Sequence, residues 1–533
     1  MNARPLGSAF AFAIAFLALS LTVHPAAAAS AAARPTSAKA SPAKSAPAST
    51  GLETLERQVH DFQLTNGLKF IVVERHQAPV FSFETVVGAG SANDQTGTTG
   101  LAHMMEHMAF KGTDVVGTTN YAAEKPLLTA EETAWSALLN ERRKGAKADT
   151  VKLAALEKAF EDSQAKSLKY VDSNASTRIL EAAGAQNINA FTADDITAYF
   201  YSMPSNRLEL WALMSAGTFT HPVFREFYKE RDVVYEERRM RTESSPVGRL
   251  IDEFIHASYV AHPYGFGGIG HPSDLKSFSR TQGEEYFRTH YVAKNMVTAV
   301  VGDVTTDDVK RLAEKYFSGL SSAPKPPPID TQEPPQHAER RVILEDTAQP
   351  ILVIGWHVPA STDPASPACK ALADLLAGGD YARLNKALVK ERKIATQLNA
   401  FTGFPGERYP NQLVLFIVPA AGQDPEVVER AVYGVLDSIA AKPFTQEELA
   451  GYKVRMRAKK IEAAEDNASL AGELAQAQDL YGDWHEFFRE SERVQALRPA
   501  DLMDAMKTYL VRLNRTVGMI VNPKTAAAEG GAK

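Results

Sequence analysis

Apolar positions cluster in short runs at the start of the ordered chain. Phe70 to Glu74 and Val80 to Val87 are β-rich and read as strands. Leu64-Thr65-Asn66-Gly67-Leu68 puts an Asn-Gly turn signal ahead of them. Gly88-Ala89-Gly90-Ser91 closes the second run, and Gly100 to Phe110 is an apolar stretch of helical character. Residues 114 to 185 change register. They are rich in Ala, Glu, Lys and Leu, with helical spacing in Glu131 to Arg143 and Val151 to Tyr170, and with Pro126 and the Gly145 region as breakers. This predicts a solvated helical hairpin inserted into a domain; a partner-binding arm is the alternative.

A Pro-rich stretch, Pro324 to Pro335, reads as a semi-rigid extended linker between two portions of related size. The portions share a faint repeat. Phe70-Ile71-Val72-Val73-Glu74, Gln77-Ala78-Pro79 and an apolar strand are echoed by Val342-Ile343-Leu344-Glu345-Asp346, Ala348-Gln349-Pro350 and Ile351 to Trp356. A helix follows each, around His103 in the first copy and over Cys369 to Leu376 in the second. The second helix has neither histidine nor glutamate, so only the first copy carries metal-binding chemistry.

At 533 residues the chain is too long for one core. The expected division is a first domain over 51–322, a linker over 323–336 and a second domain over 337–526, with a disordered tail over 527–533. Before them, Arg4, the apolar Ala9 to Val23 and the small residues Ala26 to Ala29 form a signal-peptide pattern over 1–29, pointing to export to the periplasm. An uncleaved anchor is the competing reading. Residues 30–50 are Ala, Ser, Pro, Lys and Thr, a disordered spacer. No later segment is long and apolar enough to span a bilayer. A net charge of -6 argues against nucleic-acid binding, and one cysteine, Cys369, permits no intrachain disulfide or thiolate cluster.

His103-Met104-Met105-Glu106-His107 is the chemical centre of the sequence. On a helix, positions i and i+4 share one face, so both imidazoles can reach one metal ion, with Glu106 beside them. This is the H-x-x-E-H form of zinc-peptidase helix. A hydrolytic zinc needs a third protein ligand and an open position. Glu230 to Glu237 is the best candidate segment: Glu230 and Glu237 lie seven apart on one side of a helix, where one can ligate and the other support. His262 and His271 flank a glycine-containing segment read as a structural or gating loop. His357 reads as a strand residue, and His60, His76 and His337 as exposed.

Gly100 to Thr113, Asn189-Ala190-Phe191-Thr192 followed by Asp195, Thr197 and Tyr199, and Glu230 to Glu237 followed by an Arg-rich helix resemble the pitrilysin/insulinase family of zinc peptidases, which includes the mitochondrial processing peptidases. The resemblance runs from about Leu64 to about Asn522. It implies an α+β fold of two related halves, each a mostly antiparallel sheet with helices on one face. It implies one zinc per chain on His103, His107 and Glu237, Glu106 as general base, and Glu230 as acidic support behind the ligands. Asn189, Ala190, Phe191 and Thr192 would form an edge strand that receives peptide substrate as an added strand.

The chain departs from the family pattern in two places. The interval from His107 to Asn189 is longer than usual. In the second half, Lys390 and Thr396 stand where active members have an Arg and a Tyr that stabilise the oxyanion. The resemblance therefore implies a heterodimer with a zinc-less homologue that supplies Arg and Tyr. The alternative is a non-catalytic assembly or peptide-binding subunit of the same fold.

Overall fold

A computed structural model describes residues 51–523. The signal-peptide pattern, the spacer over 30–50 and the tail over 527–533 fall outside the described residues.

Strands β1 (Val59–Gln63), β2 (Lys69–Glu74), β3 (Val80–Val87), β4 (Gln186–Thr192), β5 (Thr197–Pro204) and β6 (Met296–Gly302) form a six-stranded sheet in the order β1-β2-β6-β3-β5-β4. The Asn-Gly turn joins β1 to β2, with Gly67 at φ 102°, a left-handed conformation that favours glycine. Strands β7 (Arg340–Glu345), β8 (Ile351–Val358), β9 (Ala395–Phe404), β10 (Asn411–Pro419) and β11 (Arg515–Val521) form a five-stranded sheet in the order β7-β11-β8-β10-β9. With β1 set aside, the second order repeats the first. The parallel pair also recurs in the same place, β2 with β6 and β7 with β11, and the remaining pairs are antiparallel. The faint sequence repeat is thus a duplicated topology.

The helices that position the site are α1 (Leu101–Met108), α2 (Tyr121–Arg142), α3 (Thr150–Ser167), α4 (Phe227–Arg238), α5 (Pro246–Ser258), α6 (Ser366–Ala377) and α7 (Asn467–Tyr481). Helix α1 follows β3 as α6 follows β8, the equivalence expected from sequence. Each half packs its own helices on one sheet face. Met104, Met105 and Met108 of α1 meet Phe81, Phe83 and Val87, while Leu372 and Leu376 of α6 meet Ile354 and Trp356.

The opposite faces are covered by exchange. Leu470, Ala471 and Leu474 of α7 bury Ile71, Val73, Val86 and Val301 of the first sheet. Leu250, Phe254 and Ile255 of α5 bury Val353, Val414 and Ile520 of the second. Each large aliphatic side chain so covered contributes about 1.5–3 kcal/mol. Burial on both faces explains why β2 and β8 read as continuous apolar runs rather than alternating ones. Glu84, the charged residue within β3, accepts a 2.8 Å hydrogen bond from Gln476 of α7.

The hairpin formed by α2 and α3 corrects the expectation of a solvated insertion. Leu128, Trp135 and Leu138 form a buried stripe on α2, and Trp135 packs on Phe160 of α3 and Tyr228 of α4. The cause lies in the spacing of that stripe, which the excess of Glu, Lys and Ala around it obscures. Pro126 is no breaker either. It sits inside α2, which starts earlier, where Asn120 caps the helix by accepting from the Ala123 amide. The Gly145 region does separate the two helices. The Pro-rich stretch has no regular structure but is tied down. Glu333 accepts from the amides of Val260, Ala261 and His262 at 3.0–3.1 Å, and the Ile329 amide donates to the Tyr409 hydroxyl at 2.8 Å. No helix among the described residues is long and apolar enough to cross a membrane.

Candidate metal centre

Helix α1 consists of good helix formers, and its entry is built for a tight approach. Gly100 has φ 95°, and a Cβ there would meet the Ile269 carbonyl oxygen at 2.5 Å. Asp94 accepts from the amides of Gly100 at 2.6 Å and Ala102 at 3.0 Å, satisfying donors that the first turn leaves unpaired. Helix α4 enters through Glu226 at φ 56° and continues into a π-turn over Arg239–Glu243. Both ends of the site are therefore fixed by local backbone features.

Between α1 and α4 the expected side chains converge. Donor atoms of His103, His107 and Glu237 lie within 4.8 Å of one another, the one such cluster of three or more His, Cys, Asp or Glu among the described residues. His103 Nε2 lies 3.9 Å from Glu237 Oε1 and 3.9 Å from Glu106 Oε2, and His107 Nε2 lies 3.4 Å from Glu237 Oε2. The question of which glutamate faces the imidazoles is answered by position. Glu237 faces both, whereas Glu230 lies 3.4 Å from His107 Nδ1 on the far side of the ring. A proton on Nδ1 directed at Glu230 leaves the Nε2 lone pair for a cation.

The electrostatics fit a divalent cation. Three carboxylates, Glu106, Glu230 and Glu237, face two fixed cations. Arg241 pairs with Glu237 at 2.7 Å, and Lys111 pairs with Glu230 and lies 3.5 Å from Glu226. Burial, and then the neighbouring His107, pushes the His103 imidazole down to about 3, so it is neutral, as a ligand must be. His103 Nδ1 is buried with no hydrogen-bond partner among the described residues, and Nε2 stops beyond hydrogen-bond reach of its carboxylate neighbours. Burial disfavours the His107 cation, but Glu230 and Glu237 outweigh it and lift that imidazole to about 9. Burial opposes the Glu237 anion too, yet His107, His103 and Arg241 hold it down to about 2. A proton on His107 thus stands where a metal ion would satisfy the same carboxylates. Burial raises the Glu106 carboxyl above its ordinary value.

Asn189, Ala190, Phe191 and Thr192 lie on β4, which stands at the edge of its sheet among the described residues and pairs with Phe200, Tyr199, Ala198 and Thr197 of β5. Sequence reasoning missed the roles of Thr192, Lys111, Arg241 and Asp94. The Thr192 hydroxyl donates to Glu106 Oε2 at 2.7 Å. Lys111 and Arg241 each stand four residues after a site residue, His107 and Glu237, a spacing that signals same-face contact. His262 accepts from the Tyr264 amide at 3.1 Å, which fits a structural loop, and His357 lies in β8. His60, His76 and His337 are exposed.

The duplicated α+β fold thus holds, between α1 and α4, a two-histidine, one-carboxylate cluster able to ligate a metal ion. Residues 69–132 match the family model described as "Insulinase (Peptidase family M16)", and residues 277–456 match "Peptidase M16 inactive domain". The zinc protease PqqE of Helicobacter pylori is 27% identical over 424 residues, covering 77% of this chain and 81% of that protein. A probable mitochondrial-processing peptidase subunit beta of Arabidopsis thaliana is 25% identical over 319 residues, 59% of this chain and 49% of that one. The crystal structure of a protease from Helicobacter pylori superposes with a TM-score of 0.72 at 23% identity, covering 87% of this chain and 99% of that one. Over these two segments the chain is similar to the insulinase family of peptidases, family M16.

Proposed function

We propose that the protein is a zinc-dependent endopeptidase, holding one zinc per chain on His103, His107 and Glu237 and hydrolysing short or unfolded peptides. The convergence of those three donor sets beside Glu106 carries the reading. The relatives named as zinc proteases support it. Zinc, when bound, polarises the scissile carbonyl and makes water acidic enough to attack near neutral pH. Glu106 accepts the proton of the attacking water and delivers it to the leaving amine. Thr192 aims the Glu106 carboxylate, and Glu230 fixes the His107 tautomer. The outer edge of β4, at Asn189 to Thr192, takes the peptide backbone as an added strand, which selects extended chains over folded ones.

At the two positions where the resemblance places the electrophilic groups, the second half carries Lys390 and Thr396. Lys390 lies 3.1 Å from Asp380, and the Thr396 hydroxyl donates to the Val418 carbonyl at 3.3 Å. Neither offers a guanidinium or a phenol. This supports a catalytic subunit that works in a heterodimer, with a zinc-less homologue supplying Arg and Tyr to the oxyanion. Export to the periplasm rests on the N-terminal signal pattern. The match of residues 277–456 to an inactive domain favours, as second reading, a non-catalytic assembly or peptide-binding subunit.

Metal analysis and cleavage of an unstructured fluorogenic peptide separate the two. One zinc per chain is expected, with Glu106→Gln keeping zinc but losing turnover and His103→Ala or Glu237→Ala losing both. Zinc-free protein, or Glu106→Gln with most of its activity, overturns the enzyme. Full activity of the isolated chain, with no gain from a homologue, overturns the heterodimer.

A further inference from the structure

The hairpin α2–α3 touches helix α4 directly and, through Arg225, the chain that leaves α1. Arg225 stands two residues before α4 and is nearly fully buried. Its Nε donates to Glu124 Oε1 of α2 at 2.8 Å and its Nη2 to Glu124 Oε2 at 3.3 Å. The same guanidinium donates to the carbonyls of Lys111 at 2.6 Å, Thr113 at 2.7 Å and Val116 at 3.1 Å. It therefore clamps the chain leaving α1, four residues past His107, to the start of α4. Glycine makes room for it: a Cβ on Gly117, at φ 89°, would lie 2.9 Å from Arg225 Nη1. Glu124, with no exposed surface, is the only carboxylate hydrogen-bonded to this cation among the described residues, and the hairpin provides it.

A second contact lies one turn along α4. The Arg231 guanidinium stacks 4.2 Å from the centroid of the Trp135 ring of α2. The Tyr228 hydroxyl donates to Glu132 Oε2 at 2.5 Å, and Glu132 Oε1 accepts from the Thr281 hydroxyl at 2.6 Å. A buried ion pair contributes little net stability compared with apolar packing of the same volume, but it fixes direction. Directional bonds at two levels of α4 set the rotation and height at which Glu237 faces the imidazoles.

We infer that the inserted hairpin is a brace for the metal centre, and that Glu124, with Arg225, is a positioning residue for Glu237 and His107. This rests on the metal reading proposed above. Removing partners that orient metal ligands typically weakens metal binding about 10–100-fold.

The test uses the full chain as Glu124→Gln, as Arg225→Lys, as the milder Glu132→Gln, and with the hairpin tip, Lys144 to Ala148, replaced by Gly-Ser as a control. Three measurements are made: thermal unfolding of the metal-free protein, zinc release to a chromogenic chelator, and the visible spectrum of the cobalt-substituted protein. The inference expects Glu124→Gln to release zinc about tenfold faster and to alter the cobalt bands. Arg225→Lys and Glu132→Gln shift in the same sense to a smaller degree, and the tip replacement leaves both readouts unchanged. If Glu124→Gln fails to fold, Glu132→Gln decides. Release within twofold of the parent and superimposable cobalt spectra overturn the brace, whatever happens to the melting temperature. A parent chain that holds no zinc overturns the metal reading itself.

Discussion

Thr192 and Glu106 are 86 residues apart in sequence, yet the threonine hydroxyl donates to the glutamate carboxylate at 2.7 Å. The bond joins the β4 edge strand to the helix of both histidines. A peptide lying along that edge would therefore register directly against the base. A hydrogen bond to a charged group is worth ~1.5–3 kcal/mol. Thr192→Val, nearly isosteric, is expected to keep bound zinc and lose on the order of tenfold to a hundredfold in kcat, with Thr192→Ser recovering most of it. Steady-state kinetics on protein of measured zinc content check this; wild-type kcat in Thr192→Val would show the bond to be idle.

Gly248 marks a second sensitive point. A Cβ there would stand 2.0 Å from the Arg241 carbonyl oxygen and 2.9 Å from the Thr242 Cα, both in the π-turn behind Glu237. Gly248→Ala is expected to destabilise by about 1–3 kcal/mol through overpacking and to speed zinc release by moving Arg241 off Glu237. Thermal melts with and without zinc measure both effects. A wild-type melt and wild-type release would contradict it.

Acid stability carries a signature far from the metal centre. Glu490 is bonded by Lys370 at 3.1 Å and Lys460 at 2.8 Å. Burial opposes its charge, but the two lysines hold it down to about 2. The folded value is below the ordinary one, so the stabilisation is complete above about 4.5 and is lost as pH falls from there toward 2. It amounts to roughly 3 kcal/mol at most. Glu490→Gln should be less stable than wild type at pH 7, with the gap closing below about pH 4.5. Denaturant melts across that range give the difference, and a gap independent of pH would refute the assignment.

The exchange of α7 and α5 makes the halves interdependent. Residues 51–322 produced alone leave Ile71, Val73, Val86 and Val301 without the cover of α7. That piece is expected to aggregate, and co-production with residues 337–523 to restore a soluble complex. A monomeric, cooperatively melting 51–322 fragment, by size-exclusion chromatography and circular dichroism, would contradict this.

The site was legible to the extent that its spacing is local. The i, i+4 histidines and the seven-residue step from Glu230 to Glu237 each define one helix face, so the ligand faces could be named before any tertiary contact was known. The strand pattern and the duplicated halves were legible for the same reason. Thr192 was seen only as part of a strand, because its partner lies across the fold, and Asp94 was missed because a cap seven residues ahead of its helix has no periodicity. The hairpin was misjudged since its buried stripe, Glu124, Leu128, Glu131, Trp135, Leu138 and Glu141, is half acidic. Sequence patterns score buried glutamates as solvent-facing unless their cations are known, and Arg225 lies about a hundred residues away.

The reciprocal roofing of the sheets constrains how the two copies can diverge. The second copy folds without metal ligands, but not without the apolar seat for Leu250 and Phe254 or the helix bearing Leu470 and Leu474. A copy without the metal-ligand cluster is thereby retained as half of the other's interior, and its loss by deletion would take the copy that holds His103, His107 and Glu237 with it.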